Sequence, residues 1–282
     1  MAGLALLAAG GTDDAAALLG PWETADAATA VRLYKKAVAR LRESNPETAI
    51  AWLARARNLA PDDEGVLGEW IDHLRLVPEA KWPTEAADVA RAWLARHPAT
   101  PSALEILVLS AAERGELDEA LQAADELVRA DPIRAQAYFV RGMVRFDRRD
   151  VLGALADHST AHNLSPAEAT YAGAVGWDYY ALELNDRALA FLDEALERDP
   201  GLTEARLRRG LCRGKLGDDA GAIADLDLVL AKAENFDARF NRAVLHLRNG
   251  RKDAARADLE KALELEPGDA RTKEILERLG PR

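Results

Sequence analysis

The chain has 282 residues, of which 49% are apolar and 30% are charged, and its formal net charge is -11. Both halves carry more acidic than basic residues, which argues against a nucleic-acid partner, because phosphates require a dense basic face. No stretch approaches the roughly 18 uninterrupted apolar residues of a membrane span, so we expect no membrane insertion.

The first 29 residues are rich in small and apolar side chains. The apolar run after the start methionine is short and lacks preceding basic residues, which argues against a secretory signal. Gly11 and Ala16 stand five residues apart, as Gly115 and Ala120 do later in the chain. We therefore predict that residues 1–29 are a degenerate N-terminal repeat or cap, either frayed or cut from a longer protein.

From residue 30 onwards, single residue types recur at a nearly constant step of about 34 residues, which is the signature of a repeat array. One column contains only alanine: Ala49, Ala86, Ala120, Ala154, Ala188, Ala222 and Ala255. A second column contains proline except at Glu234: Pro61, Pro98, Pro132, Pro166, Pro200 and Pro267.

The period divides residues 30–269 into seven tandem repeats, each predicted to be a pair of helices. In the first repeat, Asn45 is a predicted helix cap and Pro46 the first helical residue. The second repeat is the most divergent, because Pro78 should end its first helix early. Residues 270–282 form a predicted C-terminal capping helix. The repeats are 30–63, 67–100, 101–134, 135–168, 169–202, 203–235 and 236–269.

Small residues at positions 8, 20 and 27, followed by proline at position 32, recur together in several repeats. The fourth and fifth repeats show this with Gly142, Ala154, Ala161 and Pro166, and with Gly176, Ala188, Ala195 and Pro200. In these columns the chain resembles the tetratricopeptide repeat family. The resemblance implies an all-α fold, a right-handed α-α superhelical solenoid of about seven helix pairs plus the capping helix. It also implies a non-enzymatic scaffold or adaptor without cofactors, which binds a peptide segment or small domain of another protein in its concave groove.

Three repeats depart from the family pattern in the same way. They carry arginine instead of leucine at position 7, and each of them carries aspartate at position 23. The fifth repeat has Val175 and Phe191 in these columns. We interpret the arginines and aspartates as semi-buried ion pairs that join the two helices of a repeat. The pairs are Arg141 with Asp157, Arg209 with Asp225, and Arg242 with Asp258.

Positions 5, 9 and 12 of the first helices should face the groove, and in repeats four to seven they are unusually apolar. Such surfaces mark interaction sites when they are exposed. The alternative is that the helices are rotated and these side chains pack against their neighbours. The predicted partner-binding residues are Phe139, Met143, Phe146, Trp177, Tyr180, Leu207, Leu211, Phe240, Val244 and Leu247, with Lys215, Asn241 and Arg248 as the polar rim.

Asn241 lies where some chaperone-binding members of the family keep an asparagine that holds a terminal carboxylate. The columns of the other clamp residues contain Leu207 and Leu211, which argues against that clamp.

Candidates for metal binding and catalysis are few. His158 and His162 stand four apart, a spacing that can bring two imidazoles to one metal, but no third ligand is obvious, so we expect packing histidines. Cys212 has Arg209 and Arg213 nearby but no paired histidine or cysteine, so we expect a buried thiol. A single cysteine makes no internal disulfide, and we expect a cytoplasmic protein, with an exported or periplasmic one as the alternative.

Two other functions remain open from the sequence. The array could be the regulatory region of a larger enzyme or signalling and assembly protein. Alternatively, it could self-associate into a homo-oligomer through exposed tryptophans of the second repeat, namely Trp70, Trp82 and Trp93.

Overall fold

The computed structural model of the chain describes residues 26–41, 46–74 and 82–280, and the regular structure of these residues consists of fifteen helices without a strand. The helices form two compact bodies, residues 1–132 and residues 133–282. The all-α fold class is therefore confirmed, whereas the division into seven repeats stays a prediction.

The described residues of the N-terminal body form six helices, of which the second begins at Pro46. Asn45, Pro78 and most of the predicted N-terminal cap lie outside the described residues. The helices are α1 Ala27–Leu41, α2 Pro46–Leu59, α3 Glu64–Leu74, α4 Trp82–Leu94, α5 Pro101–Glu113 and α6 Leu117–Ala130.

Two of the three tryptophans that we expected at the surface are buried in this body. Trp70 is 3% exposed and lies under the Arg57 guanidinium, 4.2 Å from the centre of the Trp70 ring. Trp93 is 5% exposed, and its Nε1 donates a hydrogen bond to Thr100 Oγ1 at 3.2 Å. The prediction that they are exposed is wrong, because both rings fill the core between helices. They offer no surface for self-association.

The C-terminal body, residues 133–282, contains four antiparallel helix pairs followed by one more helix. Each helix packs on the next, and the first helices α9, α11 and α13 also contact one another. The helices are α7 Ala135–Asp147, α8 Val151–Leu164, α9 Ala169–Ala181, α10 Asn185–Arg198, α11 Thr203–Leu216, α12 Asp219–Leu230, α13 Phe236–Arg248, α14 Lys252–Leu265 and α15 Ala270–Leu279.

Small residues allow the two helices of a pair to approach closely. A Cβ added to Gly176 in α9 would lie 3.1 Å from the carbonyl oxygen of Ala188 in α10, and one added to Gly210 would lie 3.3 Å from that of Ala222. Ala188 and Ala222 are fully buried. The glycine of position 8 and the alanine of position 20 therefore form the contact point between the paired helices.

In each turn between the paired helices of the C-terminal body, the residue at the same repeat position adopts the left-handed backbone conformation. Gly217 and Gly250 occupy it in two turns, but Arg149 and Glu183 adopt φ angles of 67° and 61° in the other two. A residue with a side chain in the left-handed backbone region costs about 1–2 kcal/mol. The packing of the helices on either side must therefore hold these two turns in place.

The three predicted ion pairs are confirmed, and each is bidentate. Arg209 illustrates the geometry, with Nε and one terminal nitrogen donating to the two oxygens of Asp225 at 2.9 and 2.7 Å. Arg141 binds Asp157 at 2.9 and 2.7 Å, and Arg242 binds Asp258 at 2.8 and 2.6 Å. All three aspartates are buried. Burial raises the pKa of Asp258, but the hydrogen bonds from Arg242 and Arg239 outweigh this effect and hold the pKa below its ordinary value.

Each buried aspartate also receives a second guanidinium. Arg145 lies 2.8 Å from Asp157, Arg213 lies 2.9 Å from Asp225, and Arg239 lies 2.9 Å from Asp258. Two of the position-7 arginines also bind an aspartate of the preceding helix pair: Arg209 contacts Asp193, and Arg242 contacts Asp227. The arginines therefore join successive helix pairs as well as the two helices within a pair.

Removing one residue of such an ion pair should lower the free energy of unfolding more than replacing both residues. Asp157→Ala is expected to lower the free energy of unfolding by about 3–5 kcal/mol, because Arg141 and Arg145 lose their shared anion. The double variant Arg141→Val with Asp157→Phe, which copies Val175 and Phe191 of the next pair, should lose less. Chemical denaturation followed by circular dichroism measures both, and equal losses would contradict the prediction.

The contact between paired helices should tolerate no added volume. Ala188→Leu is expected to cost about 1–3 kcal/mol, because the new side chain meets the α9 backbone near Gly176. Ala190→Leu, two residues along the same helix and exposed, is the matched control and should be nearly neutral. If thermal unfolding shows the two variants to be equally stable, the assigned contact is incorrect.

Candidate partner-binding site

A cavity of about 370 Å³ opens on the C-terminal body, beside the first helices α7, α9 and α11. Its volume lies near the lower end of the range for ligand pockets, about 300–1,000 Å³, and its walls are mainly apolar. The lining residues are Phe139, Met143, Phe146, Asp147, His158, Thr170, Gly173, Ala174, Trp177, Leu202, Glu204, Ala205 and Arg208.

Four of the predicted partner-binding residues meet in this cavity. Phe139, Met143 and Phe146 come from successive turns of α7, and Trp177 faces them from α9. The Phe146 and Trp177 rings are 6.3 Å apart and tilted by 35°. Met143 is 41% exposed, so part of this wall is open to an incoming group.

Trp177 is held in place by two further contacts. Its ring stacks on Tyr180, with centroids 4.9 Å apart and planes inclined by 11°, and the Arg208 guanidinium lies 4.8 Å from its centroid. Burial lowers the pKa of Arg208, although Glu204 on the same helix opposes this effect. Because Phe146 of α7 and Arg208 of α11 contact Trp177 from the two neighbouring first helices, little side-chain entropy remains to be lost when a ligand contacts it.

A buried histidine lines the cavity and contacts a buried aspartate. His158 of α8 is 4% exposed, and its Nδ1 lies 2.6 Å from Oδ2 of the fully buried Asp178 in α9. Burial raises the pKa of the Asp178 carboxyl. Among the described residues, His158 Nε2 and Asp178 Oδ1 have no hydrogen-bond partner. Gly142 makes room for the histidine, since a Cβ there would lie 2.5 Å from its ring.

The geometry favours packing over metal binding for the two histidines. His162 points elsewhere, with Nε2 3.3 Å from Glu194 and its ring edge-on to Phe191. In residues 26–41, 46–74 and 82–280, no group of three or more histidine, cysteine, aspartate or glutamate side chains could hold a metal ion.

A second depression, of about 220 Å³, lies between α11 and α13 and collects six further predicted residues. Lys215 Nζ lies 4.3 Å from the centre of the Tyr180 ring. Arg248 donates to the carbonyl oxygen of Gly214 at 2.8 Å and pairs with Asp219. The six predicted residues in this depression are Tyr180, Leu211, Lys215, Asn241, Val244 and Arg248.

Three predicted groove residues are placed differently from the expectation. Leu207 is 6% exposed and packs in the core between α11, α12 and α13, so the prediction that it lines an open groove is wrong. Phe240 and Leu247 are partly buried against the same core cluster of α13 and α14 on which α15 packs, and Arg271 of α15 lies 4.9 Å from the centre of the Phe240 ring. The capping helix covers this end of the predicted groove, because its apolar side chains need a partner surface.

The sequence profiles of the tetratricopeptide repeat match residues 83–132, 107–159, 174–235 and 236–269. The chain belongs to the tetratricopeptide repeat family. No curated protein sequence matches it.

Solved structures of tetratricopeptide repeat proteins share the fold at low sequence identity. A tetratricopeptide repeat protein from Parabacteroides merdae is 17% identical, with a TM-score of 0.67 over 89% of this chain and 99% of its own. One chain in the structure of the APC/C hetero-tetramer Cut9–Hcn1 is 17% identical, with a TM-score of 0.77 over 96% of this chain and 53% of that one. YrrB, a tetratricopeptide repeat protein with an unusual peptide-binding site, is 21% identical, with a TM-score of 0.51 over 68% and 99%. These likenesses confirm the solenoid fold class.

The repeat positions used for the prediction did not include every residue of the site. Asp178, Glu204 and Arg208 were not predicted, although Asp178 is the one charged residue in the helix ATYAGAVGWDYYA, a signal that could have found it. The thiol of Cys212 is buried as expected, donates to Asn185 O, and has a pKa raised by burial. None of the described helices is both long and apolar enough to cross a membrane.

The histidine site of this tetratricopeptide array should not accept a methyl group at Gly142. Gly142→Ala is expected to cost about 1–3 kcal/mol, because displacing His158 leaves the buried Asp178 carboxyl without its partner. Gly68→Ala in α3 is the control, since its Cβ meets no atom within 4 Å and should be neutral or stabilising by up to about 1 kcal/mol. Thermal unfolding of both variants measures the difference, and a harmless Gly142→Ala would rule out this packing.

Proposed function

We propose that the protein is a non-enzymatic scaffold or adaptor that binds an extended segment of a partner protein on the face formed by the first helices of the C-terminal body. The cavity beside Met143 and Trp177 is the observation that carries this proposal, because it combines an open apolar wall with a rigid aromatic ring. Trp is among the residues that contribute most to binding energy at interfaces, and Met is enriched in them.

The second depression extends the proposed binding face along α11 and α13. Val244 is 40% exposed there, and Leu211 and Tyr180 add apolar surface. Lys215, Asn241 and Arg248 would orient the backbone or an acidic group of the bound segment. A segment of several residues could then place one side chain in each depression, which is the recognition mode expected for an extended ligand.

The comparisons support the class of function and not its details. YrrB is a relative in fold with a peptide-binding site, and Cut9 occurs in a complex with Hcn1. Fold likeness alone does not transfer a ligand, so the peptide partner is proposed from the site itself. A cytoplasmic location belongs to the same proposal, supported by the single free cysteine.

A capture experiment tests the proposal. The full chain is immobilised and exposed to lysate of the source cell, and retained proteins are quantified by mass spectrometry. The double variant Met143→Ala with Trp177→Ala should lose the partner, since each anchor is expected to contribute about 2 kcal/mol. The control Leu152→Ala with Leu228→Ala removes equally apolar, more exposed side chains outside both depressions and should retain it.

Circular dichroism must first show that the two double variants are equally folded. Partner capture that is the same for the wild type and for the Met143 and Trp177 variant would exclude the cavity as the binding site and remove the proposed function.

A further inference from the structure

The charges around the cavity do not balance, and this imbalance indicates the chemistry of its occupant. Three charged side chains line it: Asp147, Glu204 and Arg208. Glu204 accepts a hydrogen bond from Arg208 Nε at 2.9 Å, so these two charges compensate each other. In the described part of the chain, the Asp147 carboxylate has no hydrogen bond or salt bridge, which leaves one anionic group at the cavity without a partner.

Asp147 is exposed to solvent at the edge of the cavity, and the protein removes only part of the hydration of its carboxylate. Burial raises the pKa of Asp147 above its ordinary value, and the more distant Arg149 only partly opposes this effect. Asp147 is also the last residue of α7, where the helix dipole already places negative charge, so its carboxylate is unfavourable for helix stability. Helix stability therefore does not favour an aspartate at this place.

The apolar wall and the carboxylate together match one kind of side chain. A long alkyl stem would lie against Met143 and Phe146, and a positive charge at its tip would reach Asp147 beside an aromatic face. Arginine and lysine have this construction, whereas a purely apolar side chain would bury the Asp147 carboxylate without compensation.

We propose that the cavity binds an arginine or lysine side chain of the partner segment, with Asp147 as the group that recognises its charge. This inference rests on the proposed function and adds a specificity to it. The chain has two methionines, Met1 and Met143, and Met143 lines the cavity, so its methyl group is a local probe of occupancy.

The test uses the full chain labelled with ¹³C at the methionine methyl groups. The probes are a blocked pentapeptide, acetyl-Ala-Ala-Arg-Ala-Ala-amide, and the same peptide with citrulline, which is neutral and nearly isosteric, at matched ionic strength. The arginine peptide should shift the Met143 resonance in a saturable way and leave Met1 unchanged. The citrulline peptide should bind at least about tenfold more weakly, a difference in binding free energy of about 1.4 kcal/mol.

Two variants assign the preference to Asp147. Asp147→Asn should bring the affinities of the arginine and citrulline peptides to within about twofold and should not reduce thermal stability. Asp253→Asn, which removes an exposed carboxylate in α14 outside the cavity, should keep the preference for arginine.

Three results would overturn the inference: no saturable shift with the arginine peptide, equal binding of both peptides, or an unchanged preference in Asp147→Asn. Equal binding would leave the proposed function intact, because the cavity would still accept a side chain of a partner. Loss of the proposed function is recognised separately, by the capture experiment with the Met143 and Trp177 variant.

Discussion

Buried aspartates that are bound by arginine forks set the geometry of the C-terminal body. A carboxylate taken out of water is strongly unfavourable unless charged donors satisfy its oxygens, so Asp157, Asp225 and Asp258 each require a guanidinium from the facing helix. A bidentate fork fixes the distance and the rotation between the two helices more narrowly than apolar packing alone would. The salt bridge between Arg209 and Asp193 extends this constraint to the preceding helix pair.

The rotation imposed by these forks determines which side chains remain at the surface. Because Arg141 turns towards α8, Met143, two residues further along, lies on the opposite, more open side of α7. Gly142 and Gly173 then decide the depth of the cavity, since the first admits the His158 ring and the second leaves space in the wall. The site therefore depends on the same helix contacts that stabilise the fold.

The repeat period predicted the helix pairs, and complementary residue types predicted the ion pair of Arg242 with Asp258, because both signals are local to one repeat. Position within a repeat did not predict burial correctly where a neighbouring element intervenes. Leu207 is covered by the following pair and Phe240 by the capping helix, and neither covering is visible in one repeat alone. The contact of His158 with Asp178 joins two repeats, so it also required the structure.

The acidic groups of the C-terminal body differ in how well they are compensated. Asp157, Asp225 and Asp258 each have two or more guanidinium groups, whereas Asp178 has only an imidazole, and Asp147 has no partner among the described residues. The array has many arginines, so this difference does not reflect a shortage of cations. Asp147 lines the apolar cavity and is exposed to solvent, whereas Asp178 is buried and contacts the cavity-lining His158. An interaction that the folded chain leaves unsatisfied is available to a ligand, and its free energy adds to binding without further reorganisation of the protein.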